Sequence, residues 1–150
     1  MKLSTRDDIE APIETVFSVV SDFARFERMA QAKGAQVART DDLTEAGIGM
    51  GWDARFRFRG KPREARLELT RYDRPEALTV TSRMGGIESE FTIDLIALSP
   101  RRTRMIVGLD LRPRTLSARL LIQSLKFAKA NLERRFTRQV ARAAREIERR

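Results

Sequence analysis

The last third of the chain constrains the fold most. From Thr115 to Arg149, the apolar residues Leu116, Leu120, Leu121, Leu125, Ala128, Leu132, Phe136, Val140, Ala143 and Ile147 recur mostly at steps of three and four. That spacing is one stripe of an α-helix. No Gly or Pro interrupts it, Pro113 precedes it, and Thr115 is placed to cap its N-terminus. As a single helix it is about 52 Å long at 1.5 Å per residue. The core of a small domain does not require that length. A long helix beside many short strands predicts that its stripe closes the open face of a curved sheet. The stripe is core first, above all over Leu121 to Phe136, and the functional question is whether a ligand also fits beneath it.

The strands come from the middle of the chain. Trp52, Ala54, Phe56 and Phe58 alternate with Asp53, Arg55, Arg57 and Arg59. A Gly60-Lys61 turn pairs Phe56 with Ala65 and Trp52 with Leu69, and sets Arg57 against Glu64 on the other face. The loop Tyr72 to Pro75 pairs Leu69 with Leu78 and Leu67 with Val80. The Gly85-Gly86 turn pairs Val80 with Phe91 and Leu78 with Ile93. A Pro100-Arg101-Arg102 connection pairs Leu95 with Val107 and Ile93 with Leu109. All four hairpins keep one apolar face on one side, and a one-residue slip in any of them would break that agreement. Val37 marks one more short strand. Gly47, Gly49 and Gly51 lie in a loop that no helix follows, so they supply turn and bulge conformations and not a dinucleotide fingerprint.

Upstream, Leu3, Thr5, Asp7 and Ile9 share one face of a strand. The apolar pair puts that face inward, which aims Thr5 and Asp7 at the interior, where a carboxylate needs a partner or water. Pro12 suits the first position of a short helix carrying Ile13, Val16, Phe17 and Val20. Ser21 or Asp22 caps a second helix from Phe23 to about Gln31, which Gly34 ends. The expected order is strand, two helices, six strands, long helix: an α+β domain over residues 1–150, its seven-stranded antiparallel sheet wrapped on the C-terminal helix.

Composition removes several chemistries. The 150 residues include no Cys and no His, so thiolate chemistry, zinc-thiolate sites and the commonest general base are absent. No P-loop, HExxH or G-x-S-x-G motif occurs. No cofactor or metal is expected. There is no apolar run near eighteen residues and no apolar signal-peptide core, so a cytoplasmic location is expected. The net charge of +9 is unevenly placed. Residues 101–150 hold 15 Lys and Arg against 4 Asp and Glu, giving +11. That basic helix is first a solvated face, and second a surface for polyanions such as RNA, DNA or anionic lipid.

Several local signatures resemble the START-like superfamily, the polyketide cyclase/dehydrase and lipid transport group with its helix-grip fold. They are Ile9-Glu10-Ala11-Pro12 before Val16-Phe17, Val20-Ser21-Asp22-Phe23, Gly49-Met50-Gly51-Trp52, Gly60 after the Phe-rich strand, and the long C-terminal helix. The likeness spans the whole chain and is closest to bacterial members without an assigned activity. It implies a space between sheet and helix for an apolar small molecule. The wall candidates are then Trp52, Phe56, Leu69, Val80, Phe91, Leu109, Leu125 and Leu132, for each of which plain core packing is the first reading and a cavity wall the second. Thr5, Asp7, Arg63 and Arg71 are the inward polar candidates. That set holds no His, Cys or base–acid pair.

Three functions compete. The first is non-catalytic binding or transport of a hydrophobic small molecule: a lipid, an isoprenoid or a polyketide-like compound. The second is a cyclase or hydrolase using Asp7 with a raised pKa. The third is an RNA- or ribosome-associated protein acting through Arg134, Arg135, Arg138, Arg142, Arg145 and Arg149; that run lacks exposed aromatics for base stacking. Oligomeric state is open. A half-barrel of seven strands is about 30 Å across, shorter than the helix. Ala141 to Arg150 are therefore expected to overhang and pack little, while Leu125 and Leu132 lie against Trp52, Phe56 and Phe91.

Overall fold

A computed structural model describes every residue from Met1 to Arg150. Strand β1 (Lys2–Ile9) leads into helices α1 (Ile13–Val20) and α2 (Phe23–Ala32). Strands β2 (Gln36–Arg39), β3 (Gly51–Phe58), β4 (Lys61–Asp73), β5 (Ala77–Met84), β6 (Ile87–Ser99) and β7 (Arg102–Pro113) follow. Helices α3 (Leu116–Lys126) and α4 (Lys129–Glu148) end the chain. The strands form one seven-stranded sheet in the order β1-β7-β6-β5-β4-β3-β2, with every neighbour antiparallel.

The local signals act as expected at the helix starts. Asp22 accepts the backbone N–H of Arg25 at 3.2 Å, and Thr115 accepts that of Ala118 at 3.1 Å. Pro12 precedes the first helical residue, one position earlier than expected. Two glycines are required by close approach. A β-carbon on Gly51 would collide with the Thr40 hydroxyl, and one on Gly86 with Thr115, so Gly86 lets the start of α3 sit on the β5–β6 turn.

The β5–β6 hairpin takes the expected register, with Val80 opposite Phe91 and Leu78 opposite Ile93. The others slide by two residues. Trp52 faces Leu67, Leu69 faces Val80, and Leu95 faces Met105. Turn placement explains two of these. The β3–β4 turn is still two residues but is Arg59-Gly60, closed by Phe58 and Lys61; at β6–β7 only Pro100-Arg101 separates Ser99 and Arg102, and a bulge between Ala97 and Ser99 adds the rest of the slip. Arg59 and Gly60 both take positive φ, 53° and 74°, the requirement of a I′ turn and not a II′ turn. A slip of two preserves the face of every residue, because side chains alternate with period two. The expected Arg57–Glu64 pair accordingly becomes Arg55–Glu64 at 3.2 Å.

One irregularity does change a face. A bulge between Leu69 and Arg71 adds a residue to β4. Tyr72 then turns inward, its ring 5.4 Å from Phe17. Arg71, expected inward, lies on the outer face and pairs with Asp73 at 2.7 Å and Asp94 at 3.8 Å.

The C-terminal stretch departs most from expectation. It is two helices, not one. At the join the N–H of Ala128 bonds the carbonyl of Leu125, one residue closer than α-helical spacing. Neither Phe127 nor Ala128 is a helix breaker, so propensity does not cause the bend. Contact with a curved sheet accounts for it: α3 lies on β7 while α4 lies on β1, and one tightened turn lets both halves touch.

The end expected to overhang is the end that is gripped. Val140, Ala144 and Ile147 are buried, Ala144 completely. Ala144 has no bulk beyond its methyl group, so α4 approaches β1 closely. Polar ties fasten the same turns. Arg145 Nη2 donates to Asp7 Oδ1 at 2.6 Å and to the Asp8 carbonyl at 2.9 Å. Glu148 accepts the N–H of Glu10 at 2.8 Å. The width argument failed because it set the helix start, not its end, at the edge of the sheet.

The core occupies this end. Phe17, Ile9, Leu69, Val16 and Thr103 are its largest fully enclosed side chains, and the Thr103 hydroxyl donates to the Ala11 carbonyl at 2.8 Å. On the outside, Arg104 grips Asp8 with two bonds of 2.9 and 3.3 Å. Hydrogen bonding to Arg104 holds the Asp8 carboxyl below its ordinary value of 3.8, against an opposing desolvation effect. A depressed folded pKa stabilises the protein above the ordinary carboxylate value and ceases to do so as pH falls through the folded one. Asp8→Asn should therefore lower the urea midpoint at pH 7 and leave a smaller difference from wild type near pH 3. An equal difference at both pH values would refute the linkage.

Candidate functional site

The inner face of the sheet has a sealed end and an open end. At the sealed end, α1 and α2 cover the sheet. Trp52 packs against Phe23 at 5.5 Å, and its indole N–H donates to Glu27 at 2.7 Å. Trp52 and Leu69, two of the wall candidates, therefore belong to the enclosed core. The other six divide by position. Val80 and Phe91 are half-buried against the core's edge. Phe56 and Leu109 on the sheet, with Leu125 and Leu132 on the helices, are half-buried outside it. Trp52 is covered by α2, so the expected packing of Leu125 and Leu132 on it is replaced.

Around these residues the inner face stays partly open. Leu67, Met84, Ile87 and Leu111 on the strands are all half-buried, as are Leu121 and Phe136 opposite them. Only 23 of the 150 residues are buried. A sheet of this size with so few enclosed residues leaves apolar surface that the helices do not cover. That surface is shared between the β3–β7 part of the sheet and the residues Leu121, Leu125, Leu132 and Phe136 of α3 and α4.

Its polar groups are few. Arg63, opposite Phe56, is one of three half-buried arginines. Arg25 pairs with Glu146 at 3.6 Å and Arg104 with Asp8 at 2.9 Å. Arg63 pairs with no carboxylate, and its Nε is buried without a hydrogen-bond partner. Ser82 and Ser89 face one another on adjacent strands, hydroxyl to hydroxyl. The correct β5–β6 register already implied that pair, which sequence reasoning overlooked because neither residue breaks the apolar pattern conspicuously.

The remaining polar candidates lie elsewhere. Thr5 is half-buried on β1. Asp7 is inward as expected, but it sits under the gripped end of α4 and is bound by Arg145. Its partner comes from the helix 138 residues away and not from a neighbouring strand. Arg71 is outside, as described above. Asp41 organises the glycine-rich loop: it accepts from Arg39 and from the N–H groups of Gly51 at 2.8 Å and Leu43 at 3.0 Å. These bonds, Arg39 foremost, hold its carboxyl well below the usual range. No three His, Cys, Asp or Glu side chains gather as a metal site. A concavity of about 400 Å³ does exist on the outer face, between Arg66, Glu68, Arg83 and Arg112, but no hydrophobic residue lines it. Its charges are largely satisfied, by Asp53–Arg66, Glu88–Arg83 and Asp110–Arg112, so it does not suit an apolar ligand.

A seven-stranded antiparallel sheet with a C-terminal helical segment packed on it is the arrangement of a START-like helix-grip protein. The family of polyketide cyclases/dehydrases and lipid transport proteins matches residues 1–148, and the chain belongs to that family. Solved structures agree in fold. The ZhuI aromatase/cyclase of Streptomyces sp. R1128 superposes with a TM-score of 0.69 at 13% identity, over 100% of this chain and 94% of that one. Norcoclaurine synthase of Thalictrum flavum gives 0.65 at 12%, over 99% and 84%. A START superfamily protein of Mycobacterium smegmatis gives 0.58 at 16%, over 93% and 98%. No curated protein sequence matches the chain.

Proposed function

We propose that the protein binds or carries a hydrophobic small molecule, of lipid, isoprenoid or polyketide-like character, in the cleft between sheet and C-terminal helices. The observation that carries this reading is the set of apolar residues left only half-buried: Phe56, Val80, Phe91 and Leu109 on the sheet, Leu125 and Leu132 on the helices. Leaving such a surface in water costs about 25 cal/mol per Å², and a ligand with apolar bulk removes that cost. The family includes both lipid transport proteins and cyclases. Cyclase chemistry is the second reading. It is less supported because Asp7, its only candidate, is held by Arg145 outside the cleft.

Arg63 gives the ligand a polar end. A buried donor without a partner costs about 1–3 kcal/mol, and a ligand carboxylate or carbonyl accepts from it. Native mass spectrometry of protein from bacterial expression tests the reading. We expect a mass excess that delipidation removes, and rebinding of a long-chain carboxylic acid. Arg63→Gln should weaken that acid about tenfold or more while changing a neutral hydrocarbon analogue little. Identical masses before and after delipidation, with no binding across a lipid panel, would remove the proposal. Retained catalysis by Asp7→Asn on any substrate found would remove the enzymatic role of Asp7.

A further inference from the structure

Helix α3 is apolar on two opposite faces. Ala118 and Ile122 are buried against the sheet. Leu116, Leu120 and Phe127 are 74%, 60% and 95% exposed. At 100° per residue these three fall within about 40° of one another, and roughly 160° away from Ala118 and Ile122. The simple spacing rule followed Leu116 and Leu120 and passed over Ala118 and Ile122, the two residues of α3 that are buried. A second apolar face on a helix calls for a second partner, yet nothing in the fold covers this one, and large exposed apolar side chains mark an interaction surface.

Charge identifies what fits there. From Leu111 to Leu132 the chain contains no Asp or Glu. Arg119 and Lys126 both lie along one side of the exposed stripe, and neither has an acidic partner. The solvent face of α4 continues the pattern with Arg134, Arg135, Arg138 and Arg142, all exposed and facing away from buried Val140. Leu and Phe on a helix surface, bordered along one side by unopposed Lys and Arg, are the composition of an interfacial helix. We propose that the exposed face of α3 docks the protein on an anionic lipid bilayer, Phe127 and Leu120 entering the headgroup region and Arg119 and Lys126 meeting lipid phosphates. A second copy of the chain fits less well, since it would bring the same uncompensated positive charge to the contact.

This inference does not rest on what occupies the cleft. Its test uses the delipidated protein and flotation with two kinds of vesicle: phosphatidylcholine alone, and phosphatidylcholine with phosphatidylglycerol in equal parts. Wild type should float with the anionic vesicles at low ionic strength and hardly with the neutral ones. Phe127→Ser should lower the partition coefficient about tenfold. Arg119→Gln and Lys126→Gln should each lower it about fivefold. These side chains are exposed, so thermal midpoints should stay at the wild-type value and folding is controlled for. Absence of binding to anionic vesicles overturns the proposal. So does a Leu120→Ser/Phe127→Ser variant that floats like wild type, since attraction is then charge alone. Sedimentation that finds a dimer abolished by the same double variant would overturn it in favour of a second copy.

Discussion

Removal of residues 144–150 is expected to unfold the domain at moderate urea, with a loss of at least about 3–5 kcal/mol. The segment holds Ala144 and Ile147, both buried against β1 and the core. It also holds Arg145, which binds Asp7, and Glu148, which binds the N–H of Glu10. Truncation opens the closed end of the grip and exposes Ile9 and Val16 at once. A domain of this size has about 5–15 kcal/mol in all, so the loss is a large share of it. Far-UV circular dichroism against urea measures the effect. Ile147→Ala alone should cost about 2–5 kcal/mol and separates the apolar contribution from the polar ties. A truncated protein with the wild-type midpoint would show that α4 is not held at this end.

That expectation reverses what the sequence alone favours, and the reason is instructive. The period-3.6 pattern locates a helix and the period-two pattern locates strands, because both follow from local geometry. The order of elements, the antiparallel sheet and the inward faces of the strands are therefore legible. Which end of the helix meets which strand is not local. It depends on the close approach that Ala144 permits and on ion pairs such as Arg145–Asp7, whose partners are distant in sequence. The hairpin registers show the same divide. Parity was right at every hairpin except past the bulge in β4, while the pairing slid by two in three of them, because parity is read from the side chains and register from the turn. The bulge at Leu69/Arg71 leaves no compositional trace, so Arg71 could not be placed.

The candidate site was legible as a set of residues and not as a shape. Six wall candidates share the inner face of the sheet by pattern alone and two lie on the helices, yet burial splits them. Pattern tells which face a residue occupies; it does not tell how far the helices reach across that face. Arg63 was readable as inward from its parity, but its lack of a carboxylate depended on the three-dimensional placement of every acidic group. Leu116 and Leu120 were misread for a different reason. Steps of three and four drift around a helix, and only the full wheel separates two apolar faces.

Leu69→Ala and Leu132→Ala should behave differently, and the contrast tests the division of the inner face. Leu69 has no exposed surface and lies among Trp52, Leu78 and Phe17 in one cluster. Its truncation leaves a cavity that the surrounding strands cannot collapse into, for a loss of about 2–5 kcal/mol. Leu132 is half-buried at the start of α4. Solvent or ligand already borders it, so truncation removes part of a transfer free energy and creates no sealed void. That loss should be roughly 1 kcal/mol. Ligand retention should move in the opposite sense: Leu132→Ala alters the bound fraction or the chain length preferred, while Leu69→Ala leaves both near wild type once the protein is folded. Urea denaturation and native mass spectrometry on the same two samples read both halves. Equal stability losses with unaltered ligand binding would mean that the inner face is packed throughout, and that there is no cleft for a ligand to enter.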